Sequence, residues 1–160
     1  MIKQATETEI EIIESILMNA VDWMDSNGLH QWERENVRWS HLSQFFVPGD
    51  FYIAYVNNVP AACMALIDHD PVFWPEVEKG ESLYIHKIAV KREFSGKGIS
   101  KELIDFAKEK ALQLGVKSLR LDCHRHRYKV RTIYEKQGFV LVEERTLFGK
   151  YDTAFYVCVL

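Results

Sequence analysis

Long apolar runs, cysteine and excess positive charge are all scarce in this 160-residue chain, and each shortage removes a class of function. No apolar stretch is long enough to span a bilayer and no basic-then-apolar leader opens the N-terminus, so the expectation is a cytoplasmic protein with no membrane partner. The three cysteines, Cys63, Cys123 and Cys158, are odd in number and lie in or at the end of apolar strand-like runs. That suits reduced, buried thiols and not a disulfide framework. "LDCHRH" gathers Cys123, His124 and His126 without the paired spacing of a zinc site, so no metal is expected. The 20 Lys and Arg against 23 Asp and Glu leave a net charge of −3. Duplex nucleic acid is therefore not an expected partner, and the short basic run "HRHRYKVR" reads as a solvated face or a site for a phosphorylated small molecule. Internal repeats and low-complexity segments are absent too. What remains is one domain, 1–160, long enough to bury a core without staples.

The chain alternates strand-like and helix-like periods. "MIKQAT" reads as a short strand, and Thr6 with Glu9 forms a capping box opening a helix with Ile10, Ile13, Leu17 and Ala20 on its apolar face. Asn27-Gly28 ends it, and "HQWERENVRWSHLSQFF" reads as a second, irregular helical segment. "DFYIAYV" and "VPAACMALI" form a hairpin across Asn57-Asn58, a turn that tolerates positive φ. "DHDPVFWPEVEKGE" is too long for a simple turn and carries Phe73 and Trp74, which marks it as functional or mobile. "SLYIHKIAV" is a long strand. A helix with Ile99, Leu103, Phe106, Ala107, Ala111 and Leu114 in period follows, then the strand "VKSLRLDC", the helix "RYKVRTIYEKQ" stopped at Gly138, and two last strands, "FVLVEERT" and "TAFYVCVL".

The junction "IAVKREFSGKGISKELI" places Gly96 and Gly98 between a strand and a helix N-terminus, where unpaired N–H groups at the positive end of a helix dipole suit an anion. A nucleotide triphosphate, a dinucleotide and coenzyme A all carry such a group. The P-loop spacing fails, because it requires a glycine at Lys91 and a Lys-Ser/Thr pair after Gly96. The dinucleotide fingerprint fits Gly96 and Gly98 but meets Lys101 where its third glycine belongs, and too little chain follows for a second half of such a fold.

The order of elements, and above all this junction together with "YEKQGF", resembles the GCN5-related N-acetyltransferases (GNAT) over essentially the whole chain. The first motif is similar to the family's acetyl-CoA motif, a strand ending in Ala-Val followed by [RQ]-x-x-G-x-[GA]; here Ser95 stands at the Arg or Gln position, Gly98 at the central glycine and Ser100 at the final small residue. The second is similar to the family's tyrosine on a short helix ahead of Gly-Phe. The resemblance implies an α/β (α+β) fold: a mixed, mostly antiparallel, twisted sheet of six to seven strands, about four flanking helices, and a splayed strand pair forming the acetyl-CoA cleft. It implies an acetyl-CoA-dependent N-acetyltransferase that lets a primary amine attack directly in a ternary complex. The alternative is an acetyl-CoA-binding sensor without efficient turnover, which the departures at Ser95, Ser100 and Arg127 keep open.

Coenzyme contacts then fall on Ile88, Ala89 and Val90 of the strand, on Phe94, Ser95, Gly96, Lys97, Gly98, Ile99 and Ser100 of the turn, and on Arg127 and Tyr134. Tyr134 is the family's proton donor to the departing thiolate, with an aromatic packed under the coenzyme as the plain alternative. Tyr84 and His86 share one face of the central strand and are the candidates for the base, His86 first and Glu35 a weaker third. Trp32, Glu35 and Trp74, in the segments expected to line the acceptor side, suit a small amine with an apolar body better than a protein. A homodimer is left open.

Overall fold

The computed structural model describes Met1–Leu160. Seven strands and four helices occur in the order β1 (Ile2–Gln4), α1 (Ile10–Ser26), α2 (Trp39–Leu42), β2 (Phe51–Val56), β3 (Val59–Ile67), β4 (Ser82–Val90), α3 (Ile99–Gln113), β5 (Ser118–His124), α4 (Tyr128–Lys136), β6 (Val140–Leu147) and β7 (Tyr151–Val159). The strands form one mixed sheet in the order β1-β2-β3-β4-β5-β7-β6, with β4 and β5 parallel and the β1–β2, β2–β3, β5–β7 and β6–β7 pairs antiparallel. A parallel pair needs a crossover, which α3 supplies. The fold class read from the sequence is the one observed.

By backbone proximity the chain divides into two compact units, Met1–Leu66 with His86–Phe106, and Ile67–Ile85 with Ala107–Leu160. In the first, Thr6 and Glu9 close the expected capping box, the Thr6 N–H donating to Glu9 Oε2 at 2.6 Å, although one 3-10 turn precedes α1. The buried stripe of α1 is Ile13, Ile16, Leu17, Val21 and Met24, so Ile10 and Ala20 lie at its margin instead of on it. Fully burying each such aliphatic side chain contributes about 1.5–3 kcal/mol. The hairpin turn is built as expected, with Asn57 at φ +49° and Asn58 at φ +65°. The segment 30–46 is irregular, holding one 3-10 turn and the four-residue α2.

In the second unit, Leu119, Leu121, Ala154, Phe155 and Tyr156 are buried on β5 and β7. Ser82 and Ser118, opposite one another where β4 and β5 begin, share a buried hydrogen bond of 2.5 Å. The loop 68–81, expected to be functional or mobile, is tied into turns. Asp70 accepts the Phe73 N–H on Oδ1 and the Trp74 N–H on its carbonyl, Asp68 pairs with Lys79 at 2.5 Å, and Arg145 donates to the Phe73 carbonyl at 2.9 Å. Leu114, read as the last apolar residue of α3, lies beyond its end and is exposed, whereas Ile104 is buried.

Candidate active site

In the first unit, β4 hands over to α3 through a loop whose backbone is set residue by residue. The Lys91 N–H donates to Ala61 O at 2.8 Å, a single 3-10 turn covers Arg92–Phe94, and the Ser95 N–H returns to Arg92 O. Gly96 and Gly98 then adopt φ +77° and +79°, a region that costs any side-chain-bearing residue energy. A Cβ at either position would meet nothing within 4 Å, so the requirement is conformational and both glycines face open space. The Glu102 N–H donates to Gly98 O at 3.1 Å, which leaves the N–H groups of the first turn of α3 without intrahelical partners. Lys97 lies beside them, its ammonium 5.3 Å from the Phe94 ring. Glycines aiming a helix N-terminus at open space, with a lysine alongside, fit a diphosphate.

The loop is braced from α1. Asn19 Oδ1 accepts the Arg92 N–H at 2.9 Å, and the Arg92 guanidinium lies 4.3 Å from the Trp23 ring centre while reaching Ser95 Oγ at 3.4 Å. Ser95, one of the departures from the family motif, is thus an acceptor within the loop. Trp23 is a buttress of this loop.

Within β4 the same unit carries His86, Lys87, Ile88, Ala89 and Val90. Lys87 has φ +50°, a kink inside a strand at a residue with no intrinsic preference for it. Its carbonyl accepts the Cys63 thiol at 3.8 Å, and its ammonium lies 5.0 Å from the Trp32 ring. The kink interrupts the regular alternation just ahead of Ile88, the first of the strand residues expected to contact the coenzyme. The His86 ring lies 5.8 Å from that of Phe46. Glu35 sits exposed on the 3-10 turn 34–37, while neighbouring acids are already engaged: Asp22 with Arg34 at 2.6 Å, and Asp25 and Glu33 with His30 at 3.2 and 3.1 Å.

The second unit carries Tyr134, Arg127, Tyr84 and Trp74. Tyr134 lies on α4, 7 % exposed, with its ring edge-on to Phe139 at 6.0 Å and tilted to Tyr156 at 6.4 Å. Burial, with the nearby Cys123 and Asp122, raises its pKa far above the ordinary phenol value, and Arg127 opposes that shift. A phenol in that setting is firmly protonated. Burial lowers the pKa of the Arg127 guanidinium, whose electrostatic neighbours include Tyr134 and Cys123, so the structure brings these two sequence candidates together. The parallel ladder of β4 with β5 comprises three pairs and ends at Tyr84 opposite Arg120, while β5 continues on β7 to His124.

Tyr84 is wholly buried and its phenol is pushed up to about 12, chiefly by desolvation. It packs 6.2 Å from Trp74, which is 3 % exposed and edge-on to Phe155 at 5.1 Å. Tyr84 Oη and Trp74 Nε1 are buried without a hydrogen-bond partner. Trp74 is therefore placed in a core cluster with Val77, Tyr84 and Phe155, with only its rim available to a ligand.

Two supports escaped the sequence. Asn19 and Trp23 brace a loop some seventy residues downstream, and no periodicity encodes such a pairing. The other is the α4 anchor: Arg131 Nε donates to Tyr156 Oη at 2.7 Å, Tyr156 Oη donates to Glu135 at 2.8 Å, and Arg131 pairs with Glu144 at 2.7 Å. Arg131 and Glu135 are four apart, one helical turn, which was the only available signal.

Comparison with known proteins agrees with the fold. The model of the acetyltransferase (GNAT) family matches residues 15–139. An uncharacterised N-acetyltransferase YesJ of Bacillus subtilis (strain 168) is 23% identical over 144 residues, covering 84% of this chain and 78% of that protein. Among solved structures, a GNAT-family acetyltransferase of Listeria monocytogenes 4b F2365 superposes with a TM-score of 0.78 at 21% identity, covering 100% of this chain and 94% of that one. The PaiA N-acetyltransferase of Thermoplasma acidophilum, solved with coenzyme A, gives 0.78 at 17% identity and covers 100% and 98%.

Proposed function

Because the chain belongs to the GNAT acetyltransferase family, whose reaction is acetyl transfer from acetyl-CoA, we propose that it acetylates a small primary amine by direct attack in a ternary complex, with the whole of 1–160 acting as one domain. The observation that carries the reading is the loop at Gly96 and Gly98, both in left-handed backbone and open to the outside in front of α3. Continuity of β4 and α3 across the boundary between the two compact units supports the single domain.

When bound, acetyl-CoA supplies an activated acetyl thioester. The N–H groups from Gly96 to Ser100, with Lys97, hold its diphosphate without a metal. The edge of β4 through Ile88, Ala89 and Val90 hydrogen-bonds its amide-rich arm as an added strand would, and the N–H near Ile88 donates to the carbonyl oxygen as negative charge develops there. His86 takes the proton that the acceptor ammonium must lose, directly or through water. Tyr84 does not suit that task, since a phenol pushed up to about 12 holds its proton at neutral pH; it serves as a neutral hydrogen-bonding group. Tyr134, protonated by its burial, gives its proton to the leaving thiolate, and Arg127 beside it stabilises the charge that remains. Trp32, fixed by Lys87, and the exposed Glu35 form the acceptor's apolar and anionic contacts, and Trp74 holds its own loop in place by packing into the core with Tyr84 and Phe155.

The test is incubation with acetyl-CoA and a panel of primary amines, with released thiol and acetylated product measured together by absorbance and mass spectrometry. Equal molar amounts of both with at least one amine are expected. Thiol release without acetylated amine across the panel would sink the transfer reading.

A further inference from the structure

Arg131 is set into α4 with its side chain only 12 % exposed, and all three nitrogens of its guanidinium are engaged. Nε donates to Tyr156 Oη on β7 at 2.7 Å, Nη1 donates to the Arg125 carbonyl in the turn after β5 at 2.8 Å, and Nη2 pairs with Glu144 on β6 at 2.7 Å. One side chain therefore ties the helix to two strands and a turn. Docking alone does not require it, because well-packed apolar residues often hold an element as firmly as a buried ion pair does. What a planar fork adds is direction, since its N–H groups find all their acceptors in one orientation only. Three bonds to three separate elements fix the rotation of α4 about its axis and its position along it.

That rotation aims Tyr134, three residues further along the same helix and so a neighbour of Arg131 on its surface. The Tyr156 hydroxyl is held from either side of Tyr134 in the sequence: it accepts from Arg131 and donates to Glu135 at 2.8 Å, while the Tyr156 ring tilts against that of Tyr134 at 6.4 Å. Phe139, edge-on at 6.0 Å, is the second ring against Tyr134. Contacts between rings resist a clash but have little direction, so the fork supplies the directed part of the restraint. We propose that Arg131 is a positioning residue for acetyl transfer: through Tyr156 and the turn at Arg125 it holds the Tyr134 hydroxyl where the departing sulfur needs a proton, a role that rests on the reading of Tyr134 as proton donor. In that step the amine nitrogen bonds the acetyl carbon, the C–S bond breaks with its electron pair on sulfur, the Tyr134 proton passes to the sulfur, and the phenolate regains a proton from water. A reacting group displaced by about 1 Å loses on the order of a hundredfold in rate.

The test is a double-mutant cycle in kcat, with acetyl-CoA and the fastest amine of the panel above, beside tyrosine NMR of the coenzyme-free protein. Arg131→Lys keeps the charge and loses the fork, so kcat should fall roughly 10- to 100-fold while KM for acetyl-CoA and for the amine stays within about twofold. In the Tyr134→Phe background the same substitution should change kcat by less than about twofold, because no proton is left to aim. A role in stability alone would lower kcat by the same factor in both backgrounds. Tyr156→Phe removes only the shared hydroxyl and should repeat the pattern with a fall of roughly three- to tenfold; it takes the place of Arg131→Lys if that variant does not fold. With ring-labelled tyrosine and no coenzyme, Arg131→Lys should shift or broaden the Tyr134 resonance, identified by its loss in Tyr134→Phe, and leave that of Tyr84 unmoved. Equal falls in both backgrounds, or a Tyr134 resonance that does not respond, overturn the positioning role alone. A kcat that Tyr134→Phe itself does not lower overturns the donor reading, and the positioning role with it.

Discussion

Gly98→Ala isolates the conformational demand of the glycine loop proposed to hold the coenzyme from its steric demand. A Cβ at Gly98 has nothing within 4 Å, so in the free protein the substitution introduces no clash. Its only cost is holding an L-residue at φ +79°, on the order of 1–2 kcal/mol. The exposed loop escapes that cost by relaxing to negative φ, which turns the N–H groups away from the position a diphosphate would take. Binding must then restore the conformation and bear the cost, so at about 1.4 kcal/mol per decade the Kd for acetyl-CoA should rise roughly 5- to 30-fold. Gly28 provides the control, with φ +66°, equally open surroundings and a place at the end of α1. Gly28→Ala should lower thermal stability by a similar amount and leave coenzyme binding unchanged. Isothermal titration calorimetry with acetyl-CoA, with melting curves for both variants, gives the comparison. If Gly98→Ala binds as the native chain does while Gly28→Ala behaves as expected, the loop is not the diphosphate site.

Tyr134→Phe keeps the ring against Phe139 and Tyr156 and removes only the proton, so kcat should fall roughly tenfold to a thousandfold with coenzyme affinity little changed, read by steady-state kinetics. Trp32→Ala should raise KM for the amine several-fold and leave acetyl-CoA binding intact, whereas Trp74→Ala, emptying a core position, should lower the melting temperature as well. Ser82→Ala strands the Ser118 hydroxyl and Arg120 Nε, which bond Ser82 Oγ at 2.5 and 2.9 Å; a loss of about 1–3 kcal/mol, or roughly 3–10 °C in Tm, should appear in calorimetry. His30 has a raised pKa, from hydrogen bonds to Asp25 and then Glu33, so its stabilisation is complete below the unfolded-state pKa and is lost as pH rises through the folded one. His30→Gln should therefore lower Tm at about pH 5.5 and change nothing at about pH 8.5.

The sequence made the elements legible wherever a local rule acts alone. Asn57-Asn58 forced its turn, Thr6 and Glu9 their cap, and the two glycines a loop that only glycine tolerates twice within three residues. It was weaker where a side chain answers to a distant partner. Trp23, Trp32 and Trp74 look alike in the chain, yet one braces the glycine loop through Arg92, one lies under Lys87, and one fills a core with Phe155. A tryptophan's role depends on which cation or ring the fold brings to its face, and periodicity carries no such information. The Lys87 kink was hidden for the same reason: nothing about lysine favours positive φ, and neighbouring structure imposes it. Alternation predicts that Tyr84 and His86 share a strand face, but alternation is silent on burial, and burial is what keeps the proton on the Tyr84 phenol.

The three buried cysteines have a practical side. Desolvation drives the Cys63 thiol far above its ordinary pKa and pushes Cys123 to about 12, and Cys158 is buried as well. Disulfide-exchange reagents react with thiolate, so in the folded state these sulfurs should be nearly silent toward a chromogenic disulfide, and thiol released by turnover can be followed against a flat baseline. Denaturant should expose three equivalents of thiol per chain. The same reagent thus reports catalysis on the folded protein and counts unfolded molecules in a melted one, so a variant that has lost activity can be distinguished in one cuvette from a variant that has lost its fold.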